Sequence, residues 1–160
     1  MSAPVGIVGV GIMGSAMAKN LIKSGLSVVG FDPGLPARDR LTAMGGIAMN
    51  SPKEVAEVAS ISILSLPSAD ALDMAIAGPN GMAKANGHGQ IGIECLTLQL
   101  TAKRAAQKHM EAHRKILLDC PISGTGAQAE KKDLVVFGSG AIHVFNKSHA
   151  KKVGLFHVTC

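Results

Sequence analysis

Near the start of the chain, Gly9-Val10-Gly11-Ile12-Met13-Gly14 spell GxGxxG, and roughly 20 residues further on stands Asp32. The spacing suits a grip on a diphosphate. Gly9 permits a tight turn, Gly11 leaves the backbone bare for close approach of a pyrophosphate, and Gly14 lets the following helix lie against a sheet. The free N–H groups and the dipole of a helix opening at Ile12 would attract the anion. A carboxylate at position 32 accepts hydrogen bonds from the adenosine ribose hydroxyls and repels a 2′-phosphate, which favours NAD. Arg38 and Arg40 follow closely and keep NADP open.

Other chemistry-bearing residues are less well arranged. Lys131 and Lys132 are candidate proton acceptors, though they read more simply as exposed loop charge. His109 and His113 lie four apart on an expected helix, the spacing of a metal-binding pair, but no third ligand accompanies them and no metal is expected. Cys95, Cys120 and Cys160 form no CxxC pair, and Cys95 and Cys120 fall at strand ends where a cysteine serves as a small hydrophobe.

The elements around the glycines decide how much they mean. Val5 to Gly9 reads as a buried strand, and Ile12 to Ser24 as a helix with Ile12, Met13, Ala16, Met17 and Leu21 on one face. Ser27 to Phe31 is a second strand, ended by the turn residues Asp32-Pro33-Gly34. Arg38 to Met44 reads as a helix and Gly46 to Met49 as a strand. Ser51-Pro52-Lys53-Glu54 opens another helix with a capping box. Strands follow at Ile61 to Leu66 and Ile91 to Cys95, with a Gly- and Asn-rich loop from Gly78 to Gly89 between them. A helix is expected at Thr101 to Arg114 and a strand at Ile116 to Asp119. Beyond Pro121 we expect a loop through Ser123-Gly124-Thr125-Gly126, a strand at Leu134 to Gly138, a helix at Ala141 to Lys152 and a strand at Leu155 to Val158. Alternating strands and helices with short connections predict an α/β fold: a Rossmann-type, doubly wound, mostly parallel sheet in a single domain over residues 1–160.

Composition agrees. The 160 residues are 47% hydrophobic and 17% charged, which excludes a disordered chain. There is no Trp or Tyr to stack on bases, and the net charge of +5 is scattered, so nucleic-acid binding is disfavoured. No apolar run is long enough to span a membrane, and Met1-Ser2-Ala3-Pro4 does not open a signal peptide, so a cytoplasmic chain is expected.

The run Gly9-Val10-Gly11-Ile12-Met13-Gly14-Ser15-Ala16-Met17-Ala18-Lys19-Asn20-Leu21 resembles the GxGxMGxxMAxNL signature of the β-hydroxyacid dehydrogenases, which include 3-hydroxyisobutyrate dehydrogenase and are related to 6-phosphogluconate dehydrogenase. Ser51-Pro52, Leu66-Pro67-Ser68 and Asp119-Cys120-Pro121-Ile122-Ser123-Gly124 fall in the same family's order. The resemblance implies hydride transfer from a small 3-hydroxy carboxylate to NAD(P). It implies that Leu66 and Pro67 line the cofactor, that Thr97 lies by the nicotinamide ribose, and that Ser123, Gly124 and Thr125 hold the substrate carboxylate. Leu96, Thr125, Gln128 and Lys132 depart from the family, which has Ser at the first of these positions and Gly at the other three. The resemblance covers the family's first domain only, and the family's general-base Lys lies in a second, all-helical one. We therefore expect little or no turnover from this chain alone. The alternative is a non-catalytic nucleotide-binding or protein-interaction module, with self-association through the face where a helical domain would dock.

Overall fold

In a computed structural model, residues 3–139 and the strand Phe156–Thr159 are described. The first strand, β1 (Val5–Val8), shows how the core divides. Ile7 and Val8 are both buried, yet Ile7 packs with Met17, Leu21 and Leu41 while Val8 packs with Val55, Leu72 and Ile76. Successive side chains of a strand point to opposite faces, so an all-apolar strand must be covered on both. The same split recurs at Val28 and Val29 in β2 (Val28–Phe31), and at Ile63 and Leu64 in β4 (Ile61–Leu64).

With β3 (Ile47–Ala48), β5 (Ile91–Glu94) and β6 (Ile116–Asp119), these strands form one six-stranded sheet in the order β3-β2-β1-β4-β5-β6, every neighbouring pair parallel. One face is covered by α1 (Ile12–Lys23) and α2 (Leu35–Ala43). The other is covered by α3 (Pro52–Val58), α4 (Ala69–Ala77) and α5 (Leu100–Ala112). The chain winds outward from β1 to β3, then returns to start again at β4. Between β1 and β4 the direction reverses, and beyond the carboxyl ends of these strands such a sheet leaves a crevice.

A smaller sheet follows. In it β7 (Ile122–Ser123) runs antiparallel to β8 (Leu134–Phe137), and β8 runs parallel to β9 (Phe156–Thr159). A short helix, α6 (Gly126–Glu130), lies between β7 and β8. Its Ala129 packs with Leu134 against Ala16 of α1.

The doubly wound parallel sheet matches expectation, and several boundaries move. Helix α2 begins at Leu35 rather than Arg38, because Pro36 sits in its first turn, where a missing N–H costs nothing. Strand β4 ends at Leu64, not Leu66, although the Ser65 amide still donates to the Val8 carbonyl at 2.9 Å. Helix α5 runs from Leu100 and closes at Ala112, with Arg114 at a left-handed φ of 56° just beyond. Two α-helices, the short strand β7 and a 3-10 turn at Met82–Lys84 were not anticipated. Ser68 caps α4 by accepting from the Ala71 amide, and Thr125 caps α6 where a loop was expected. The anticipated helix at Ala141 to Lys152 lies outside the described residues, and the last strand is Phe156–Thr159 rather than Leu155 to Val158.

Candidate functional site

The glycine turn sits at that crevice. Gly9 leaves β1 at φ +93°, with its amide donating to the Phe31 carbonyl (2.8 Å), and a Cβ there would overlap the Ser65 carbonyl oxygen. A Cβ at Gly14 would overlap the carbonyl oxygen of Gly9, so α1 lies against the turn as closely as backbone allows. Gly11 is different: a Cβ there would meet nothing within 4 Å, because its face is open. Gly11 caps α1 without a side chain, and the first helical bond runs from the Ser15 amide to the Gly11 carbonyl (2.8 Å). The amides of Ile12, Met13 and Gly14 precede that bond and have no acceptor within the helix. No acidic residue stands in the first turn to neutralise them.

Asp32 closes the turn from the end of β2. Its Oδ2 accepts from the Val10 amide (2.9 Å) and its Oδ1 from the Gly34 amide (2.8 Å). Each oxygen keeps a second lone pair for another donor. Val10 itself is fully buried and contributes only its backbone.

In front of these residues lies a cleft of about 820 Å³. Gly9, Gly11, Ile12, Met13 and Asp32 line it, with Leu66 and Pro67 opposite. Much of its apolar wall comes from residues to which the sequence reading gave no place in a site: Phe31, Pro52, and Ala71, Met74 and Ala75 of the unforeseen α4. A second pocket of about 280 Å³ adjoins it, sharing Met13, Ser65, Leu66 and Pro67, and is completed by Cys95, Leu96, Thr97, Leu98, Ile122 and Gly124. The pair forms an elongated, mostly apolar trough with bare amides at its middle. A dinucleotide requires that combination, and the open face of Gly11 is the cradle that any side chain would fill.

Of the expected substrate residues, only Gly124 reaches this trough. Its φ of +148°, and the 2.5 Å at which a Cβ would meet Leu134 Cδ2, reserve the position for glycine. Ser123 is exposed and lines neither pocket. The Thr125 hydroxyl is engaged in a capping box: it accepts from the Gln128 amide, while Gln128 Oε1 accepts from the Thr125 amide (2.9 Å). Gln128, a departure from the family pattern, thus builds α6.

No lysine or histidine lines either pocket among the described residues. Lys131 is exposed, and Lys132 donates to the Ser24 hydroxyl (3.1 Å) at the far end of α1. His113 Nδ1 lies 2.9 Å from the His109 carbonyl oxygen, so that contact stays within its own helix. No three His, Cys, Asp or Glu side chains gather in a metal-binding group among the described residues. The Cys120 thiol is pushed by burial up to about 12, and burial likewise raises that of Cys95, so neither is a ready thiolate.

One charged cluster was missed. Glu94, Lys103 and Asp119 meet beneath the smaller pocket, with the Lys103 ammonium 3.0 Å from Glu94 Oε2 and in contact with Asp119 Oδ1. Burial raises the Glu94 carboxyl and opposes the Lys103 charge, but the hydrogen bonds to Asp119 and Glu94 outweigh burial and hold Lys103 as an ammonium. The available signal was a lysine on the buried stripe Lys103, Ala106 and Met110 of an amphipathic helix.

A parallel sheet of this order, with a bare glycine turn and a carboxylate at its reversal point, defines a dinucleotide-binding domain of the Rossmann type. The chain belongs to the 6-phosphogluconate dehydrogenase-like family of NAD-binding domains: a family model described as the NAD binding domain of 6-phosphogluconate dehydrogenase matches residues 4–151. It is 31% identical over 161 residues to a probable mitochondrial 3-hydroxyisobutyrate dehydrogenase of Dictyostelium discoideum, covering 99% of this chain and 50% of the relative. It is 32% identical over 139 residues to the human mitochondrial 3-hydroxyisobutyrate dehydrogenase, covering 87% and 41% respectively. Among solved structures, a Mycobacterium tuberculosis 3-hydroxyisobutyrate dehydrogenase described with L-serine superposes with a TM-score of 0.87 at 24% identity, over 99% of this chain and 54% of that one. The chain therefore spans about half the length of the curated relatives it matches.

Proposed function

We propose that this chain binds NAD along the trough and supplies the cofactor half of a dehydrogenase acting on small 3-hydroxy carboxylates. The observation that carries the reading is the uncapped start of α1 opening into the larger pocket beside Asp32. In this reading the amides of Gly11 through Gly14 take the pyrophosphate and Asp32 takes the adenosine ribose. The wall of Phe31, Pro52 and Met74 covers the adenine. Leu66, Pro67 and Thr97 face the nicotinamide end, and Gly124 borders the substrate. When bound, the nicotinamide would exchange a hydride with the carbon bearing the hydroxyl. The chain's own residues would orient the two partners and exclude water from the smaller pocket.

L-serine, with which the mycobacterial relative is described, is itself a small 3-hydroxy carboxylate, and this supports the substrate class. NADP remains the second cofactor because Arg38, one turn into α2, has a buried Nε without a partner. A non-catalytic nucleotide-binding module is the second functional reading. It is favoured by the pocket linings, which among the described residues offer no lysine or histidine as a proton acceptor.

Thermal denaturation with NAD, NADP and ADP-ribose tests the proposal. Ligand at 100 times its dissociation constant should add about 2.7 kcal/mol of stability. No shift with any of the three would overturn it. Incubation with NAD and L-serine or 3-hydroxyisobutyrate separates the two functional readings: sustained NADH formation excludes the non-catalytic one.

A further inference from the structure

Two of the loops that line the smaller pocket leave β5 and β6, and a single buried side chain holds both. Lys103 on α5 is 6% exposed; its ammonium donates to the Leu96 carbonyl (2.6 Å) and to Asp119 Oδ1, and pairs with Glu94 Oε2 at 3.0 Å. Glu94 Oε1 in turn accepts from the Leu96 amide (2.5 Å). Both backbone polar groups of Leu96, a buried residue just past the end of the strand, are therefore held by the side chains of one ion cluster.

The consequence is geometric. A buried loop must satisfy its backbone groups, and whatever satisfies them sets where the next side chains go. The next residue is Thr97, which lines the smaller pocket with Leu96. On the other side, Asp119 ends β6 and leads into Ile122 and Gly124, which line the same pocket. We infer that Lys103 is a positioning residue for the nicotinamide end of the trough, acting through the Leu96 peptide and Asp119 to fix the two loops around the pocket that receives the ring. The inference rests on the NAD reading above and assigns no proton transfer to the lysine.

The test compares two ligands. ADP-ribose lacks the nicotinamide ring, so its grip comes mainly from the glycine turn, Asp32 and the larger pocket and only its terminal ribose reaches the edge of the smaller one, which the ring of NAD must enter. In the 160-residue chain, Lys103→Met should raise the NAD dissociation constant about tenfold and leave that of ADP-ribose within twofold. A merely structural role would weaken both equally. Removing the ammonium leaves Glu94 unpaired, so the double variant Lys103→Met/Glu94→Gln accompanies it. The double variant retains an oxygen for the Leu96 amide while removing the donor to the Leu96 carbonyl, and the same shift in the NAD to ADP-ribose ratio is expected. An unchanged ratio in the double variant overturns the positioning role. Failure of the unsubstituted chain to bind either ligand overturns instead the reading on which it rests.

Discussion

The Val10 amide donates to Asp32 Oδ2 at 2.9 Å, so the carboxylate proposed to hold the ribose also holds the glycine turn in place. Its other oxygen takes the Gly34 amide at 2.8 Å. Asp32 is therefore structural before any ligand arrives. Asp32→Ala should cost about 1–3 kcal/mol of stability, the penalty for leaving a buried amide without an acceptor. It should also narrow the preference for NAD over NADP, because the group that repels a 2′-phosphate is gone. Urea denaturation checks the first effect and titration with both dinucleotides the second. Unchanged stability would mean that the turn holds itself.

Gly11 and Gly14 separate binding from folding. A methyl group on Gly11 meets nothing within 4 Å among the described residues and would project into the space proposed for the pyrophosphate. Gly11→Ala should cost at most about 1 kcal/mol through the poorer helix cap, yet weaken NAD roughly tenfold or more. Gly14→Ala drives its methyl into the Gly9 carbonyl, which is backbone and cannot turn aside. It should destabilise the chain by about 3 kcal/mol or more. Melting curves of the two variants, with and without NAD, give opposite patterns if this assignment holds.

These two glycines and Asp32 were legible in the sequence because their roles are local. A left-handed turn, an open N-terminus and a strand-end carboxylate are each written in a few adjacent residues. The parallel sheet was legible for a related reason: doubly buried strands such as Val5–Val8 carry apolar residues on both faces. Helix α4 escaped attention because Pro67 and Gly78 stand out as punctuation, although Ser68 ahead of Leu72, Ala75 and Ile76 carried an N-cap and an apolar stripe. Helix α6 carried its own signal, since Thr125 and Gln128 have capping-box spacing, but the loop expected from the family resemblance masked it. The Glu94, Lys103 and Asp119 cluster is legible only from topology. Its members come from β5, α5 and β6, and they meet because those strands are neighbours in the sheet.

Cys120 should reveal itself at alkaline pH. Burial lifts its thiol from 9.0 to about 12, so between those values the folded chain keeps a proton that the unfolded chain has lost. The stabilisation is complete below pH 9 and disappears as the pH rises through the folded-state value. The expected slope for this thiol is about 1.4 kcal/mol per pH unit. Urea denaturation across this range should fall more steeply for the unsubstituted chain than for Cys120→Ala. The sequence contains no tyrosine, so ultraviolet absorbance in a Cys160→Ser background follows thiolate formation without interference from tyrosinate. Thiolate appearing near pH 9 in the folded protein would show that the site is open to water.

Asn20 links the cofactor helix to the loop beside the smaller pocket. Its side chain is 4% exposed, and Nδ2 donates to the Ala129 carbonyl at 2.7 Å, joining α1 to α6. The front of α6 is Thr125, next to the pocket residue Gly124, so a loosened α6 would loosen that edge of the pocket. Asn20→Ala should cost about 1 kcal/mol, because the buried Ala129 carbonyl loses its shorter hydrogen bond and keeps only the Lys132 amide (3.2 Å). The loss should be uneven. Amide exchange should quicken at Ala129, whose N–H donates to Thr125, and at Lys131 and Lys132 behind it, while the β1 and β4 amides at the sheet's centre keep their protection. The exposed tie from Lys132 to Ser24 provides a control, and its removal by Lys132→Ala should change stability by no more than about 0.5 kcal/mol. If Asn20→Ala lowers protection equally in β1 and α6, the residue supports the whole domain rather than the attachment of one loop.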